Sequence, residues 1–254
     1  MRDTLLLTGR TLGHWRAHPY LLIMAVAFPL LMIFMMGFMF GGAIAGDVGT
    51  YLQLLMPGML VVTAFFGIST TMQAVITDAD RGVTDRIRSL PITTVSVLWG
   101  RCLADLLLII VSLVVLTGAG VLLGWRFHTG PLEVLAAYGL CLLLAAAFIC
   151  LGIGLALRGG QATVNASYTV VWPLAFLSSV FVDPVTMPGP LAAIAAWNPL
   201  SATSNAARVL TGSPVATDPH LPTQYPILFA VGWPVVLLAV AIPLAARAYR
   251  RLGA

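Results

Sequence analysis

The sequence predicts an all-α integral membrane protein with six transmembrane helices. Hydrophobic residues make up 59% of its 254 residues and charged residues only 9%, whereas soluble proteins carry about a quarter charged residues. The chain also contains several uncharged stretches of about 20 residues, the length that a helix needs to cross about 30 Å of hydrocarbon. The arginines fall between those stretches, in a pattern that fits one topology.

Residues 1–18 are predicted to form a helix that lies in the cytoplasmic membrane interface. Leu5, Leu12 and Trp15 fall on one side of a helical wheel, while Asp3 and Arg10 fall on the other. An amphipathic helix of this kind lies in the plane of the interface, with its tryptophan at the level of the lipid headgroups.

Six uncharged stretches are predicted to cross the membrane: 20–41, 53–76, 103–124, 134–157, 163–182 and 226–246. A seventh stretch, 184–207, carries four prolines, and lipid-exposed broken backbone is not tolerated at membrane depth. With six spans and both termini in the cytoplasm, eleven of the 13 arginines lie in cytoplasmic segments, and only Arg126 and Arg208 lie outside. This distribution satisfies the positive-inside rule, whereas a seventh crossing would place the three C-terminal arginines outside.

The segment between the last two spans, 183–225, is more apolar than a solvated loop. It is predicted to form one or two short helices that dip back into the outer leaflet, protected by neighbouring protein. A disordered proline-rich loop is the alternative.

The segment 77–93, between spans two and three, holds six of the 22 acidic and basic residues of the chain. Val83, Ile87 and Leu90 form one apolar stripe at helical spacing, a T-x-x-D pattern marks the helix start, and Pro91 ends it. These features predict a short amphipathic helix on the cytoplasmic side. A solvated positive loop is the alternative, but such a loop needs neither an apolar stripe nor three acids.

The run DADRGVTDRIRSLPITTVSVLWGRCLADLL, residues 78–107, resembles the cytoplasmic-loop segment of ABC-2 type permeases, the membrane subunits of a class of ATP-driven transporters. The run WPLAFLSSVFVDPVTMPGPLAAIAAWNPLSATSNAARVLTGSP, 172–214, resembles their fifth span and external re-entrant region. Within that family the chain is most similar to the daunorubicin-resistance-type drug-efflux permeases.

The resemblance implies that the loop is a coupling helix that docks on a separate cytosolic ATPase, flanked by the N-terminal helix. It assigns this role to the residues that match the family pattern: Arg81, Gly82, Asp85, Arg86, Ile87, Arg88, Leu90 and Pro91. The chain departs from the family pattern at the acids of DAD, where many relatives have a glutamate. Two permease chains, identical or paralogous, and two ATPases would form the transporter.

The chain contains no lysine, so it cannot carry a GxxxxGK[ST] phosphate loop. ATP and magnesium are therefore expected on the partner ATPase, and no cofactor, metal site or nucleic-acid partner is expected here. No HExxH or GxSxG motif supports an intramembrane enzyme. The three cysteines lie in or beside apolar runs, and no pair of them suggests a disulfide.

Soft, aromatic and polar side chains in the spans are candidates for a substrate path: Phe28, Met32, Met35, Phe65, Asn165, Ser167 and Tyr168. Most such apolar residues simply face lipid, which is the alternative for each of them. Asp105 follows Arg101 by four positions, and an Arg101–Asp105 pair explains this carboxylate better than a proton relay.

The predicted function is the permease subunit of an exporter in the cytoplasmic membrane of a bacterium, which moves a hydrophobic or amphiphilic drug or lipid outward. The alternative is a carrier or channel driven by an ion gradient. Such carriers usually place ionisable groups or broken helices near the midplane, and this chain has almost no charge at that depth.

Overall fold

The computed structural model describes residues 19–81, 94–215 and 219–251, and every regular element in these ranges is helical. The α-helices are α1 (Pro19–Met35), α2 (Gly41–Ala45), α3 (Val48–Asp80), α4 (Thr94–Leu122), α5 (Pro131–Phe176), α6 (Gly189–Trp197), α7 (Pro199–Thr211), α8 (Leu221–Gln224) and α9 (Pro226–Arg251). A π-helical turn, Met36–Phe40, joins α1 to α2, and a short 3₁₀ helix, Pro184–Thr186, precedes α6.

Five helical stretches of the described chain are long and apolar enough to cross a membrane: Val26–Ala45, Val48–Asp80, Leu98–Leu122, Pro131–Phe176 and Pro226–Ala248. The predicted all-α membrane architecture is therefore confirmed. We call the end of the bundle where α3 ends and α4 begins the loop end, and the opposite end, where α2 turns into α3, the turn end.

The longest helix, α5, covers two of the six predicted spans. Its 46 residues would measure about 69 Å if straight, more than twice the hydrocarbon thickness of about 30 Å. Gly160 interrupts it with φ 59° and ψ −152°, a conformation that side chains with a Cβ rarely adopt. The break lies in the predicted connection between spans four and five.

The two arms of α5 run in opposite directions along α3. The first arm, residues 131–159, runs parallel to α3, as two contacts show: Phe148 packs on Phe65, and Gly152 lies against Met72. The second arm, residues 161–176, runs antiparallel, as three contacts show: Gln161 with Gln73, Ser167 with Ser69, and Trp172 with Phe66. The second arm is about 24 Å long, so the count of six crossings stays a prediction.

The second arm ends earlier than the predicted boundary at 182. The Leu177 N–H donates to the Pro173 carbonyl, and the backbone then leaves the helix. Residues 177–182 instead form a turn whose backbone carbonyls accept hydrogen bonds from other elements. Hydropathy alone could not place this boundary, because the turn is as apolar as the helix before it.

A tight turn joins α2 to α3 at the turn end. Gly46 has φ 79° and ends α2, and the Asp47 carboxylate caps α3 by accepting from the Thr50 N–H at 2.8 Å. That hydrogen bond lowers the pKa of Asp47. A Cβ on Gly41 would lie 3.0 Å from Val48 Cα, so this glycine permits the close packing of the two helices inside one chain.

Two helices, α6 and α7, occupy the segment for which one or two short helices were predicted. Asn198 starts α7: its side-chain oxygen accepts from the Leu200 N–H, and its amide donates to the carbonyls of Leu174 and Leu177. Most of α7 is buried against α3, α5 and α9. α8 also lies in this segment, and among the described residues α7 is buried while much of α6 is exposed. The depth of these helices in a membrane stays a prediction.

Candidate functional site

An aromatic cluster connects α1, α3 and the second arm of α5. Phe28 contacts both Phe66 and Trp172, with ring centroids 6.0 and 5.1 Å apart, and Phe66 contacts Trp172 at 4.8 Å. The cluster continues toward the turn end through Phe176 and Phe181. Phe28 and Phe176 are exposed, and Phe66 and Trp172 are half-buried. The rings therefore form an accessible aromatic surface rather than a closed core.

Toward the loop end the same helices carry polar side chains. Gln161 donates to Gln73 on α3 at 3.4 Å and to Asn165 at 3.1 Å. Ser167 donates to the Val164 carbonyl, so the 3.1 Å bond between Ser69 and Ser167 uses the Ser69 proton. We call this polar stretch together with the aromatic cluster the polar–aromatic face. It passes from amides and hydroxyls at the loop end to aromatic rings near the middle and the turn end.

The predicted path residues divide between this face and other positions. Phe28, Asn165 and Ser167 lie on the face. Phe65 points into the core, where it is 2% exposed and packs against Phe148. Tyr168 is exposed on the second arm. Met32 is half-buried against the core, and Met35 is exposed.

Sequence reasoning missed Trp172, Phe176, Gln73 and Gln161. A usable signal existed, because Tyr168, Trp172 and Phe176 recur every four residues and so share one side of a helix. The glutamines gave no such signal, since their meeting depends on the reversal of the chain at Gly160.

A charged network ties α3 to α4 at the loop end. The Arg101 Nε donates to Asp105 Oδ2 at 3.0 Å, and an Arg101 terminal nitrogen donates to Asp78 Oδ2 at 2.9 Å. The Thr71 hydroxyl donates to the same oxygen of Asp105 at 2.7 Å. The predicted Arg101–Asp105 pair is confirmed. The bonds to Asp78 and Thr71, which cross between helices, were not predicted.

This network lies directly at the base of the predicted coupling helix. Arg81 is exposed at the end of α3. The other residues assigned to coupling lie outside the described residues, as do Leu5, Leu12 and Trp15 of the predicted interfacial helix. The structure therefore describes the end of α3 and the start of α4, which flank the predicted coupling helix in the sequence.

The two carboxylates of the network are expected to contribute unequally to stability. The Asp105 side chain is 11% exposed and the Asp78 side chain 43%. Asp105→Ala removes the buried oxygen that accepts from both Arg101 and Thr71 and should lower the free energy of unfolding by about 2 kcal/mol. Asp78→Ala breaks a more exposed pair and should cost less than about 1 kcal/mol. Unfolding of the purified protein in detergent checks this, and equal losses would contradict it.

Arg208 lies fully buried in α7 and joins three elements at the turn end. Its Nε donates to the Leu54 carbonyl of α3 at 3.1 Å, and one terminal nitrogen donates to the carbonyls of Ser179 and Val180 at 2.8 and 3.1 Å. The other terminal nitrogen donates to the Asn205 side chain at 2.9 Å. Burial lowers the pKa of Arg208 to about 10, so the guanidinium stays protonated at neutral pH.

The cysteines are closer together than the sequence suggested. Cys102 of α4 and Cys150 of α5 have their sulfur atoms 3.5 Å apart, and both are free thiols. No disulfide joins them, as the sequence predicted, although the antiparallel packing of α4 and α5 brings together these two residues 48 positions apart. Within the described ranges, no three His, Cys, Asp or Glu side chains come together as a metal site would need.

Comparison with known proteins places these features in a family. The model of the ABC-2 type transporter family matches residues 3–211. The chain is 34% identical over 253 residues to the daunorubicin resistance ABC transporter permease protein DrrB1 of Streptomyces coeruleorubidus, covering 96% of this chain and 87% of the relative. It is 27% identical over 255 residues to the probable doxorubicin resistance ABC transporter permease protein DrrC of Mycobacterium tuberculosis, covering 98% and 88%. The chain is a multi-pass membrane permease that belongs to the ABC-2 type transporter family.

Proposed function

We propose that this chain is the membrane subunit of an exporter that moves a hydrophobic or amphiphilic compound, drug-like or lipid-like, out across the cytoplasmic membrane of a bacterium. A separate subunit, present in two copies, would bind ATP and magnesium and supply the energy. A second permease chain, identical or paralogous, would complete the transporter. Both termini and the loop end would face the cytosol.

The observation that carries this proposal is the polar–aromatic face. Its amides and hydroxyls lie at the loop end and its rings at the middle and the turn end. Such a surface matches a compound that has both a polar part and flat apolar parts, since aromatic rings bind one another in offset or edge-on arrangements. No charged side chain takes part in the hydrogen bonds and ring contacts that define the face, so uncharged contacts would recognise the compound.

The charged network at the loop end supports the proposal that movement of the ATPase is transmitted to α3 and α4. A partner that pushes on residues 82–93 would act on the ends of α3 and α4 together, because Arg101 links Asp78 of α3 to Asp105 of α4. Since α3 also carries Gln73 and Phe66, movement of its loop end would reposition the polar–aromatic face. The names of the relatives suggest daunorubicin and doxorubicin as first test compounds.

Replacing Trp172 by alanine is expected to weaken the response to the transported compound. Trp172 contacts three other rings of the face: Phe28, Phe66 and Phe176. Loss of a central tryptophan at a binding surface costs about 1.4 kcal/mol or more, which is about tenfold in affinity. The measurement is the daunorubicin concentration that half-maximally stimulates ATP hydrolysis by the complex reconstituted with its ATPase.

The matched control is Phe34→Ala. Phe34 is 57% exposed on α1 and contacts Phe38, outside the aromatic cluster. We expect the stimulation curve of this variant to resemble that of the unmodified protein. Equal shifts in the two variants would show that the face has no special role.

The same vesicles separate the proposal from an ion-gradient carrier. Daunorubicin accumulation in inside-out vesicles should require ATP and the ATPase subunit, and it should persist when ionophores collapse the proton and sodium gradients. Accumulation that stops with the ionophores and continues without ATP would overturn the proposal.

A further inference from the structure

A groove of about 440 Å³ lies between α4 and the first arm of α5, near the turn end. Side chains within residues 110–117 and 134–142 form its walls, and Phe127 of the connection also lines it. It opens outward, because the lining residues Val114 and Leu135 are 64% and 68% exposed. It shares no residue with the polar–aromatic face.

The groove is apolar apart from the hydroxyl groups of Thr117 and Tyr138, which are hydrogen-bonded to each other. The Thr117 hydroxyl donates to the Leu113 carbonyl at 2.7 Å, and it is also hydrogen-bonded to the Tyr138 hydroxyl. Because the single proton of Thr117 is used on Leu113, Tyr138 must donate to Thr117. Both protons are bound within the protein, so an apolar occupant would leave no donor without a partner.

The dimensions of the groove suit the chains of a lipid. A water molecule takes about 30 Å³ in the liquid, and a methylene group takes a similar volume, so the groove has room for about fifteen methylenes. Its walls extend only about 10–12 Å along the helices. A groove of this volume and length is too wide for one extended acyl chain. It fits the parts of two acyl chains nearest the headgroup, lying side by side.

Arg126 and Glu133 each adjoin a residue that lines the groove, Phe127 and Val134 respectively. Arg126 is exposed in the connection after α4, where its guanidinium donates to the carbonyls of Val121 and Trp125 at 2.6 and 2.9 Å. Glu133 is exposed in the first turn of α5, next to the lining residue Val134. The other titratable residue of this connection, His128, packs against Gly212 beyond α7.

We propose that this groove binds one diacyl phospholipid with a zwitterionic headgroup that ends in a primary ammonium. Its two acyl chains would fill the groove, its phosphate would accept hydrogen bonds from Arg126, and its ammonium would donate to Glu133. An anionic headgroup would meet repulsion from Glu133. A quaternary ammonium has no N–H to donate to the carboxylate. The proposal does not depend on the proposed export function.

The test titrates the full-length protein in detergent with phosphatidylethanolamine, phosphatidylcholine or phosphatidylglycerol carrying identical chains, and counts bound lipids by native mass spectrometry. Phosphatidylethanolamine is expected to bind about fivefold more tightly than the other two, the size of one partly exposed ionic contact. Glu133→Gln should remove this preference, whereas Arg126→Ala should weaken the binding of all three lipids, because each of them carries the phosphate. Equal binding of the three lipids by the unmodified protein would overturn the proposal.

A second test fills the groove itself and does not depend on the headgroup contacts of Arg126 and Glu133. Val114→Trp should fill the groove and abolish the binding of phosphatidylethanolamine. Val115→Trp should leave this binding unchanged, because Val115 is an exposed neighbouring residue that does not line the groove. Retention of the lipid by Val114→Trp would overturn the proposal. A changed oligomeric state with unchanged lipid binding would overturn it too, and would assign the groove to a second copy of the chain.

Discussion

Replacement of Arg208 by alanine is expected to prevent most of the protein from accumulating in a folded form. The guanidinium makes four hydrogen bonds, three of which connect α7 to α3 and to the turn after α5. Alanine would leave the carbonyls of Leu54, Ser179 and Val180 buried and without this donor. We expect a loss of roughly 3–5 kcal/mol, a large part of the 5–15 kcal/mol that typically stabilises a folded protein.

The measurement is the fraction of monodisperse protein after extraction in mild detergent, together with its midpoint of thermal unfolding. Arg208→Lys separates charge from shape. A lysine keeps the charge but lacks the planar fork that reaches three carbonyls at once, so we expect it to recover only part of the stability.

Arg247→Ala is the control for Arg208, because Arg247 is an exposed arginine at the loop end of α9. Its removal should change the unfolding midpoint little. If Arg208→Ala unfolded at the same temperature as Arg247→Ala, the three-way junction at Arg208 would not be a major source of stability.

Arg208 also shows what a sequence pattern can and cannot predict. Hydropathy and arginine placement predicted the membrane class and put Arg208 outside the spans. They could not predict its burial, because the carbonyls that satisfy it come from residues 29 and 154 positions away in the chain. Neutral backbone acceptors leave no trace in the sequence, whereas an acidic partner would have.

The charged network illustrates the opposite case. The Arg101–Asp105 pair is local, four residues apart on one helix, and such spacing is readable directly. The partners on α3, Asp78 and Thr71, follow only once the antiparallel register of α3 and α4 is known. Asn165 and Ser167 were likewise predicted from polarity. The Gln161–Asn165 bond is local, four residues apart on one arm, whereas the Ser69–Ser167 bond depends on the reversal at Gly160.

Reversing the charge of the predicted coupling helix with Arg86→Glu and Arg88→Glu is expected to abolish the ATP hydrolysis that the permease stimulates in its partner. Both arginines lie in the predicted coupling helix, and the resemblance of this segment to the cytoplasmic loop of the family implies that they dock on the ATPase. Four units of charge change on a small docking surface turn attraction into repulsion, which costs several kcal/mol. Membrane insertion should stay intact, because Arg101, Arg158 and Arg247 still satisfy the positive-inside rule.

The control must change the net charge equally at the same side of the membrane without touching the loop. Arg158→Glu with Arg247→Glu does so, since both residues are exposed near the loop end and lie outside 82–93. ATPase stimulation and co-purification with the ATPase should survive in this control and fail in the loop variant. Because long-range electrostatic effects are screened beyond about 8–10 Å at physiological salt, only a local contact predicts that difference. Normal stimulation in the loop variant would therefore mean that the ATPase docks elsewhere.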